Sequence, residues 1–276
     1  MTGAPLRLLV HEGRLVCIAL QFLTRVPVPR AVGFEPAWLQ ACLRHFPLVG
    51  AFVGAFAAGV LWAGLQLWPP AVAATLSLVA TVWLTGAFHE DGLADTCDGL
   101  GGAVSRERAL AIMKDSRIGS YGAVALVLAL GLKIAVVAAL ATQPPHAAAA
   151  LLWMHAASRA APVALVWRLA YAGDAEHAKA KPLAMQTDAA ELFVALGWVV
   201  LLTAGLLALA PVIAPTLAPS LPAALGAAAA AGVLATGLCA RWLRRRLGGF
   251  TGDTLGATQQ IVELAGLLAW LAVAAR

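Results

Sequence analysis

The residues best suited to chemistry lie in one short acidic stretch, His89–Gly99, with the sequence HEDGLADTCDG. It holds four of the chain's 14 acidic residues, next to a histidine and directly after the uncharged segment 71–88. In a helix, Asp91, Asp95 and Asp98 would share one face about 60° wide. Oxygen ligands of this kind favour Mg²⁺, Mn²⁺ or Ca²⁺ over zinc. A solvated acidic loop is the alternative, but the long apolar segment that precedes the stretch, typical of a membrane protein, and the flanking glycines favour a cation site.

A second motif combines cationic, hydroxyl and glycine residues at 113–122, where a predicted membrane span begins. Lys114 and Arg117 supply cationic donors, Ser116 supplies a hydroxyl, and Asp115 lies between them. At the N-terminus of a helix this combination suits a bound phosphate. A capped helix start whose basic side chains reach the membrane interface is an equally good interpretation.

The third motif is glycine-rich and runs from Gly248 to Gln260, with Asp253 in its middle. Three glycines before Asp253 predict a flexible or tightly turned connection. Asp253 and Gln260 are seven residues apart, so on a helix they could share a face.

Charged side chains also occur inside predicted spans, at Lys133, Arg159 and Glu263. Such residues normally face a cavity or a partner of opposite charge. Glu263 therefore needs a partner, which Lys133 or Arg159 could supply. For Lys133, an ammonium group that reaches the membrane interface is an equally good alternative. Arg159 is expected to face a polar cavity that holds an anion.

The composition indicates an integral membrane protein. Apolar residues make up 61% of the chain and charged residues 12%, with a mean hydropathy of +0.83. A soluble domain is nearer half apolar and a quarter charged. The net charge of +5 does not indicate nucleic-acid binding, because the basic residues fall in particular loops rather than on one amphipathic face. The four cysteines are widely spaced without a CxxC pair and are expected to be free thiols.

The chain is predicted to be all-α, a single membrane-embedded catalytic domain over 1–276 with about seven transmembrane helices. Residues 1–46 carry five arginines and predict an amphipathic interfacial helix that ends at Pro27 and Pro29. The 71–88 span is short, which predicts a helix that continues into the acidic stretch. The spans, each about 20 residues long, are predicted near 47–68, 71–88, 120–141, 146–171, 189–210, 221–240 and 258–275.

Basic residues alternate between successive connections. The connections 89–119, 172–188 and 241–257 carry four, two and four Lys or Arg, whereas the intervening connections carry none. Positive charge marks the cytoplasmic side of a membrane. The N-terminus and all three polar motifs are therefore predicted to be cytoplasmic.

Together these motifs predict a metal-assisted transfer of a phosphoryl or phosphodiester group at the membrane surface. The sequence has no GxSxG motif, no P-loop and no histidine pair of the kind that zinc hydrolases use. Residue spacing alone does not name the substrate.

The chain resembles the cobalamin synthase family, the adenosylcobinamide-GDP ribazoletransferases, over nearly its whole length. Cys97 is a departure, since a small residue such as alanine is expected there, although no ligand is lost. The blocks that carry the resemblance are FLTRVPVP at 22–29, FPLVG at 46–50, HEDGLADT at 89–96, IMKDSRIGSYG at 112–122, Ser158-Arg159, and TGDTLGA at 251–257.

The resemblance implies a Mg²⁺-dependent enzyme of the bacterial inner membrane that acts in the last steps of coenzyme B12 assembly. It would join adenosylcobinamide-GDP to α-ribazole, or to its 5′-phosphate, and release GMP. The sequence leaves the oligomeric state open, and a homo-oligomer is compatible with it.

Residue roles follow as hypotheses. Asp91 and Asp95 are the first metal ligands, and Glu90 is a weaker one because it points about 100° away on a helix. Asp98 is a third ligand or the general base, with His89 as the alternative base. The diphosphate or leaving group is assigned to Lys114, Asp115, Ser116, Arg117 and Arg159. Asp253 is either a second metal ligand or an acceptor for a substrate hydroxyl.

Two other functions fit parts of the pattern. A membrane phosphotransferase with another nucleotide-activated donor, such as a CDP-alcohol, would need similar groups. A cation transporter could use the acidic cluster as an ion site, but its polar residues should lie near the midplane of several spans.

Overall fold

The computed structural model of the chain describes residues 3–173 and 186–275. Lys179 and Lys181, which carry the predicted charge of the connection 172–188, lie outside the described residues, as does Arg276. The described residues form eleven α-helices: α1 (Gly3–Leu23), α2 (Pro36–Ala41), α3 (Phe46–Leu65), α4 (Pro70–Thr85), α5 (Phe88–Leu100), α6 (Arg106–Met113), α7 (Ser120–Leu140), α8 (Pro144–Arg168), α9 (Ala189–Ile213), α10 (Leu221–Leu247) and α11 (Gly252–Ala274).

The helices confirm the predicted all-α, polytopic membrane bundle. Six segments are long and apolar enough to cross a membrane, or up to seven if the bent pair of α4 and α5 is one span. The predicted span 71–88 corresponds to α4. The six segments are Pro36–Leu65, Ser120–Leu140, Pro144–Arg168, Ala189–Ile213, Leu221–Leu247 and Gly252–Ala274.

The predicted continuation of the 71–88 helix into the acidic stretch is wrong. α4 ends at Thr85, and α5 leaves it at an angle of 89°. Gly86 and Ala87 both take the left-handed conformation, with φ of 70° and 59°, which no continuous right-handed helix contains. Arg25 lies at this turn: its amide donates to the carbonyl of Leu84 at 2.8 Å. A Cβ added at Gly86 would lie 2.9 Å from Nε of Arg25.

The N-terminal segment forms the predicted helix and stops before the prolines, at Leu23. One face of α1 is buried against the bundle through Leu15, Ala19 and Leu23. Its Glu12 carboxylate contacts Arg44 at 3.1 Å and the ring of His45 at 2.9 Å. These contacts fix α1 against the segment that enters α3.

The centre of the bundle is α8, which is buried along most of its length. Gly50 and Gly54 let α3 approach it closely, because a Cβ at Gly54 would lie 2.6 Å from the carbonyl oxygen of Leu151. By contrast, the buried residues of α9 are Ala195 and Ala210, so most of this helix faces outward.

Polar connections meet at one end of the bundle, here called the polar end and defined by segments 101–119, 169–173 and 248–252. Arg106 donates to the carbonyls of Leu247 and Ala172 at 2.7 and 2.9 Å. Arg246 donates to the carbonyls of Leu100 and Gly102 at 3.1 and 2.9 Å. These two arginines join three connections that are distant in sequence.

The last helix begins earlier than the predicted span of 258–275. Gly248, at φ 76°, ends α10 in a tight turn, as its glycine predicts. Thr251 then caps α11 reciprocally with Thr254, at 2.8 and 3.3 Å. The polar first turn does not count towards an apolar span, which is why hydropathy misses it. Asp253 consequently lies on the first turn of α11.

Candidate active site

A close contact between two helices sets the position of the acidic stretch. α5 crosses α11 where Gly92 faces the backbone of Asp253, and a Cβ at Gly92 would lie 2.6 Å from the carbonyl oxygen of Asp253. Gly256 faces α5 in turn, with its Cβ position 3.3 Å from His89 Cα and 3.4 Å from Gly92 Cα. Because Gly92 and Gly256 have no side chains, α5 and α11 approach closely, and Asp253 lies near the carboxylates of α5.

The outer face of α5 carries three aspartates. The predicted helix is confirmed, so Asp91, Asp95 and Asp98 share one face. Asp91 is exposed, whereas Asp95 and Asp98 are half-buried. Burial raises the pKa of Asp95 to about 7, with further contributions from the charges of Asp91, Asp253 and Asp98. Asp253, from the third sequence motif, thus acts electrostatically on a carboxylate of the acidic stretch.

Asp98 is held by the start of α7. Its two carboxylate oxygens accept hydrogen bonds from the amides of Gly119 and Gly122, at 2.7 and 2.8 Å. A Cβ at either glycine would collide with the Asp98 carboxylate. The first amides of α7 therefore bind a side-chain carboxylate of the chain itself, as in a capped helix start, and phosphate binding by the second motif stays a prediction.

The Lys114–Arg117 segment precedes that helix start and faces outward. Lys114, Ser116 and Arg117 are exposed, and Asp115 is half-buried. Arg117 is paired with Asp115, whose carboxylate contacts the guanidinium at 2.6 Å and accepts from the Arg117 amide at 3.1 Å. The geometry places these groups at the polar end, next to Asp98 through Gly119. Their contact with a substrate phosphate stays a prediction.

His89 and Glu90 point to the other side of α5, into the bundle. His89 is 4% exposed and Glu90 is 8% exposed. Burial, together with the Arg159 cation, holds the pKa of His89 well below its ordinary value, so the imidazole is neutral. Glu90 accepts a hydrogen bond from the Gln260 side chain at 3.0 Å. Its second oxygen, Oε2, has no hydrogen-bond partner among the described residues.

A buried polar cluster continues inward from Glu90. Lys133 lies 3.0 Å from Glu263 and donates to Gln260 at 2.8 Å. Gln260 therefore links Lys133 to Glu90. The prediction that Glu263 has a cationic partner is confirmed, and the partner is Lys133. The alternative, in which Lys133 reaches the membrane interface, is wrong because the partners of Lys133 lie inside the bundle.

Arg159 belongs to the same interior. Its side chain is fully buried and donates to the backbone carbonyl of His155 at 2.8 Å. Its Nε has no hydrogen-bond partner among the described residues. The structure therefore separates Arg159 from Lys114 and Arg117, with which the sequence grouped it. A role in binding the diphosphate stays a prediction.

Sequence reasoning missed Gln259, Arg106 and Arg246, which position this site, and it named Gln260 only for a face that it could share with Asp253. Gln259 and Gln260 connect α11 to α8 and α5, and Gln259 donates to Ser158 at 2.9 Å. Two adjacent amides within an apolar span were the available signal, because buried polar groups need partners. Arg106 and Arg246 carried no such signal, since their partners are backbone carbonyls that no sequence pattern identifies.

The carboxylate face fits a divalent cation of the Mg²⁺ type. Within residues 3–173 and 186–275, no three His, Cys, Asp or Glu side chains converge so as to hold a metal ion by themselves. Mg²⁺ does not need that, because proteins bind it through one or two carboxylates together with substrate phosphates and water. Burial, with the charges of Asp91, Asp253 and Asp98, raises the pKa of Asp95, and a cation would offset the repulsion among these carboxylates.

The apolar helices, the carboxylate face and the exposed basic segment at one end define the class: a polytopic membrane protein with a site suited to a phosphate-bearing substrate. The chain belongs to the cobalamin-5-phosphate synthase family, which it matches over residues 15–271.

Relatives support the same assignment across the full length. The chain is 60% identical to the adenosylcobinamide-GDP ribazoletransferase of Leptothrix cholodnii, covering 96% of this chain and 97% of the relative. It is 45% identical to that of Polaromonas naphthalenivorans, over 90% and 94% of the two chains. It is 43% identical to that of Shewanella amazonensis, over 92% and 93%. No solved structure matches the chain.

Proposed function

We propose that this protein is an adenosylcobinamide-GDP ribazoletransferase of cobalamin biosynthesis. The observation that carries the proposal is the family match over residues 15–271, which includes every motif that forms the candidate site. The relatives that share its length bear the same name. The site agrees with it chemically, because a diphosphate substrate needs anion neutralisation and a proton acceptor for the attacking hydroxyl.

In the proposed reaction, a ribose hydroxyl oxygen of α-ribazole, or of its 5′-phosphate, bonds to the phosphorus attached to the cobinamide arm. The bond from that phosphorus to the oxygen it shares with the GMP moiety breaks, and GMP leaves with that oxygen. The hydroxyl proton passes to a base on the protein. The reaction exchanges a phosphoanhydride linkage for a phosphoester linkage without an oxidant or reductant.

The protein groups would divide these tasks according to position. Asp91 and Asp95 would hold Mg²⁺, which when bound neutralises charge on the diphosphate. Asp253, which the Gly92 contact brings to α5, would complete this face as a ligand or as an acceptor for the substrate hydroxyl. Lys114 and Arg117 would contact the diphosphate from the polar end, where both are exposed.

Asp98 and His89 are the two candidates for the base. Asp98 shares a face with Asp91 and Asp95, which favours it, although both of its carboxylate oxygens already accept backbone amides. His89 lies near Asp91 in the chain, but its side chain is on the buried face, and burial lowers the pKa of its imidazole, which makes it a weaker proton acceptor. Activity in Asp98→Asn and His89→Gln separates the two roles.

The polar end would face the cytoplasm of the bacterial cell, with the protein in the inner membrane. The support is the charge pattern: Arg106, Arg108, Lys114 and Arg117 lie in one connection at this end, and Arg241, Arg244, Arg245 and Arg246 at another. Accessibility of a cysteine introduced at Ser116 to a membrane-impermeant thiol reagent, in spheroplasts and in inverted vesicles, tests this orientation.

The activity is tested with purified protein, Mg²⁺, adenosylcobinamide-GDP and α-ribazole phosphate, measuring GMP release and the corrinoid product. Turnover is expected, and chelation of divalent ions should stop it. A parallel incubation with CDP-diacylglycerol and an alcohol tests the competing phosphotransferase. Turnover of that donor, without GMP release from the corrinoid substrate, would overturn the proposal. Cation flux in proteoliposomes that Asp95→Asn abolishes would instead indicate a transporter.

A further inference from the structure

Two large grooves run along opposite sides of α9. The first, between α8, α9 and α10, encloses about 780 Å³, and the second, between α3, α8 and α9, encloses about 870 Å³. Both have apolar floors of small and branched residues. Ala160, Leu196 and Gly237 line the first, and Ala55, Leu202 and Gly205 line the second.

The two grooves differ in charge. Four arginines line the end of the first: Arg168 at the last turn of α8, and Arg241, Arg244 and Arg245 at the last turns of α10. We call it the arginine groove. Among the described residues that line the second groove, none is charged, so we call it the neutral groove.

The four arginines are available to a ligand. All four are exposed, and within the described parts of the chain none forms a salt bridge. Their neighbour Arg246 is different, since it donates to the carbonyls of Leu100 and Gly102 and holds the polar end together. The C-terminal dipole of a helix accounts for one or two cations at its own end. It does not account for arginines of two helices bordering the same groove.

We propose that the arginine groove binds an anionic phospholipid, with the phosphate at the arginines and an acyl chain along the apolar floor. From Ala228 to Arg241 the floor follows α10 for about 20 Å, at about 1.5 Å per residue, which is enough for a chain of one leaflet in a ~30 Å hydrocarbon core. Guanidinium groups bind phosphate oxygens through paired hydrogen bonds. The site lies on the outer side of α8, apart from the carboxylates of α5, and is independent of the proposed transfer reaction.

Charge complementarity selects this occupant. A lipid without net charge would leave the four guanidinium groups without a net counter-charge among the described residues, whereas the neutral groove offers a similar volume with no charged residue among those described. The chain therefore contains its own control: both grooves should accept acyl chains, but the arginine groove alone should discriminate by headgroup charge.

Native mass spectrometry of the full chain in detergent, titrated with phosphatidylglycerol or phosphatidylcholine, tests the headgroup. Phosphatidylglycerol should bind at least about tenfold more tightly, because its phosphate carries a net negative charge, whereas the choline cation of phosphatidylcholine offsets the same phosphate and is repelled by the arginines. Arg241→Gln/Arg244→Gln/Arg245→Gln should remove that preference. The matched triple variant Arg7→Gln/Arg30→Gln/Arg108→Gln, which changes the net charge equally at exposed positions outside the groove, should keep it.

Filling each groove tests the location. Gly237 and Gly205 are helical glycines whose Cβ positions have no described atom within 4 Å, so a larger side chain enters the groove without a backbone clash. Gly237→Phe should weaken phosphatidylglycerol binding about tenfold, and Gly205→Phe should leave it unchanged. Equal binding of the two lipids, loss of preference in the control triple variant, or equal effects of the two phenylalanines would overturn the proposal. So would a dimer that excludes lipid from the arginine groove.

Discussion

The carboxylate of Asp98 in α5 accepts the amide of Gly122 in α7 at 2.8 Å, and its other oxygen accepts the amide of Gly119 at 2.7 Å. This contact joins the acidic motif to the basic motif that precedes α7. It also makes two glycines necessary, since a side chain at either would occupy the space of the carboxylate. The acidic motif and the basic motif are separate in sequence. They are joined in the structure because Asp98 caps the start of α7.

The Gly122→Ala substitution should disrupt this junction. The added methyl group would collide with Asp98, and a displaced Asp98 leaves buried amides without an acceptor, which costs about 1–3 kcal/mol. We expect a lower thermal unfolding temperature in detergent and the loss of most GMP release. Gly131→Ala, on the same helix, is the matched control because its Cβ position has no described atom within 4 Å. Equal stability of the two variants would contradict this account.

The sequence predicts the features of this fold that depend on residues close together in the chain, and it does not predict those that depend on contacts between distant segments. Hydropathy predicts the long helices, because each span is a property of about 20 consecutive residues. Helical periodicity predicts the face shared by Asp91, Asp95 and Asp98, because that too is local. The turn at Gly86 and Ala87 is not predictable in the same way, since Ala87 takes a left-handed conformation against its own preference and Arg25 packs beside the turn from a distant segment.

The candidate site shows the same division. Charges inside spans correctly indicated that Lys133 and Glu263 need partners, because an isolated charge in a membrane is costly. The position of Arg159 inside a span also predicted that its side chain faces the interior, whereas its separation from Lys114 and Arg117 follows from the rotation of α8 about its axis. That rotation is set by packing on all sides, which no local spacing determines.

The contact of α5 with α11 should respond in a graded way to alanine. Gly92→Ala places a methyl group 2.6 Å from the backbone carbonyl of Asp253, so the two helices must separate. Gly256→Ala meets α5 at 3.3 Å, which a shift of a few tenths of an ångström relieves. We expect Gly92→Ala to abolish GMP release and Gly256→Ala to retain a measurable part of it. Equal activity in both variants would show that the separation of these helices does not control the reaction.

The buried pair of Lys133 and Glu263 should contribute strongly to stability when one partner is removed. Lys133→Met or Glu263→Gln alone leaves an uncompensated interior charge, a loss of about 3–5 kcal/mol. The double variant should lose clearly less than the sum of the two single losses, because it removes both charges. Unfolding in detergent by a denaturant, analysed as a double-mutant cycle, measures this coupling. Additive losses would mean that the 3.0 Å contact carries no net interaction.

The carboxylates on the outer face of α5 should matter for turnover and not for folding. Asp91→Asn and Asp95→Asn each remove a negative charge from a face that is exposed or half-buried, so both variants should still insert into the membrane and fold. GMP release should fall by more than the roughly 10–100-fold that loss of an outer-shell partner of a metal site costs, because these side chains would contact the ion directly. Glu107→Gln on α6 is the control, because Glu107 is also exposed at the polar end. Near-normal activity in both aspartate variants would indicate a solvated acidic face without a catalytic role.

Asp95 should make the stability of the protein depend on pH and on divalent ions. Its pKa is about 7 in the folded protein and near 3.8 in an unfolded chain, so the folded state holds the proton more tightly. In a chelator, the wild type should therefore lose stability as pH rises from about 4 to 7, relative to Asp95→Asn, which has no such proton.

Added Mg²⁺ should reverse this loss of stability at pH 7 and above, where the Asp95 side chain is a carboxylate that can bind the ion. Below that range the proton competes with the ion, and the effect of Mg²⁺ should shrink. Thermal unfolding of wild type and Asp95→Asn across this pH range, with and without Mg²⁺, measures the difference in stability between the two proteins. If the unfolding temperatures of both proteins change in parallel under all conditions, Asp95 neither titrates in this pH range nor binds the ion.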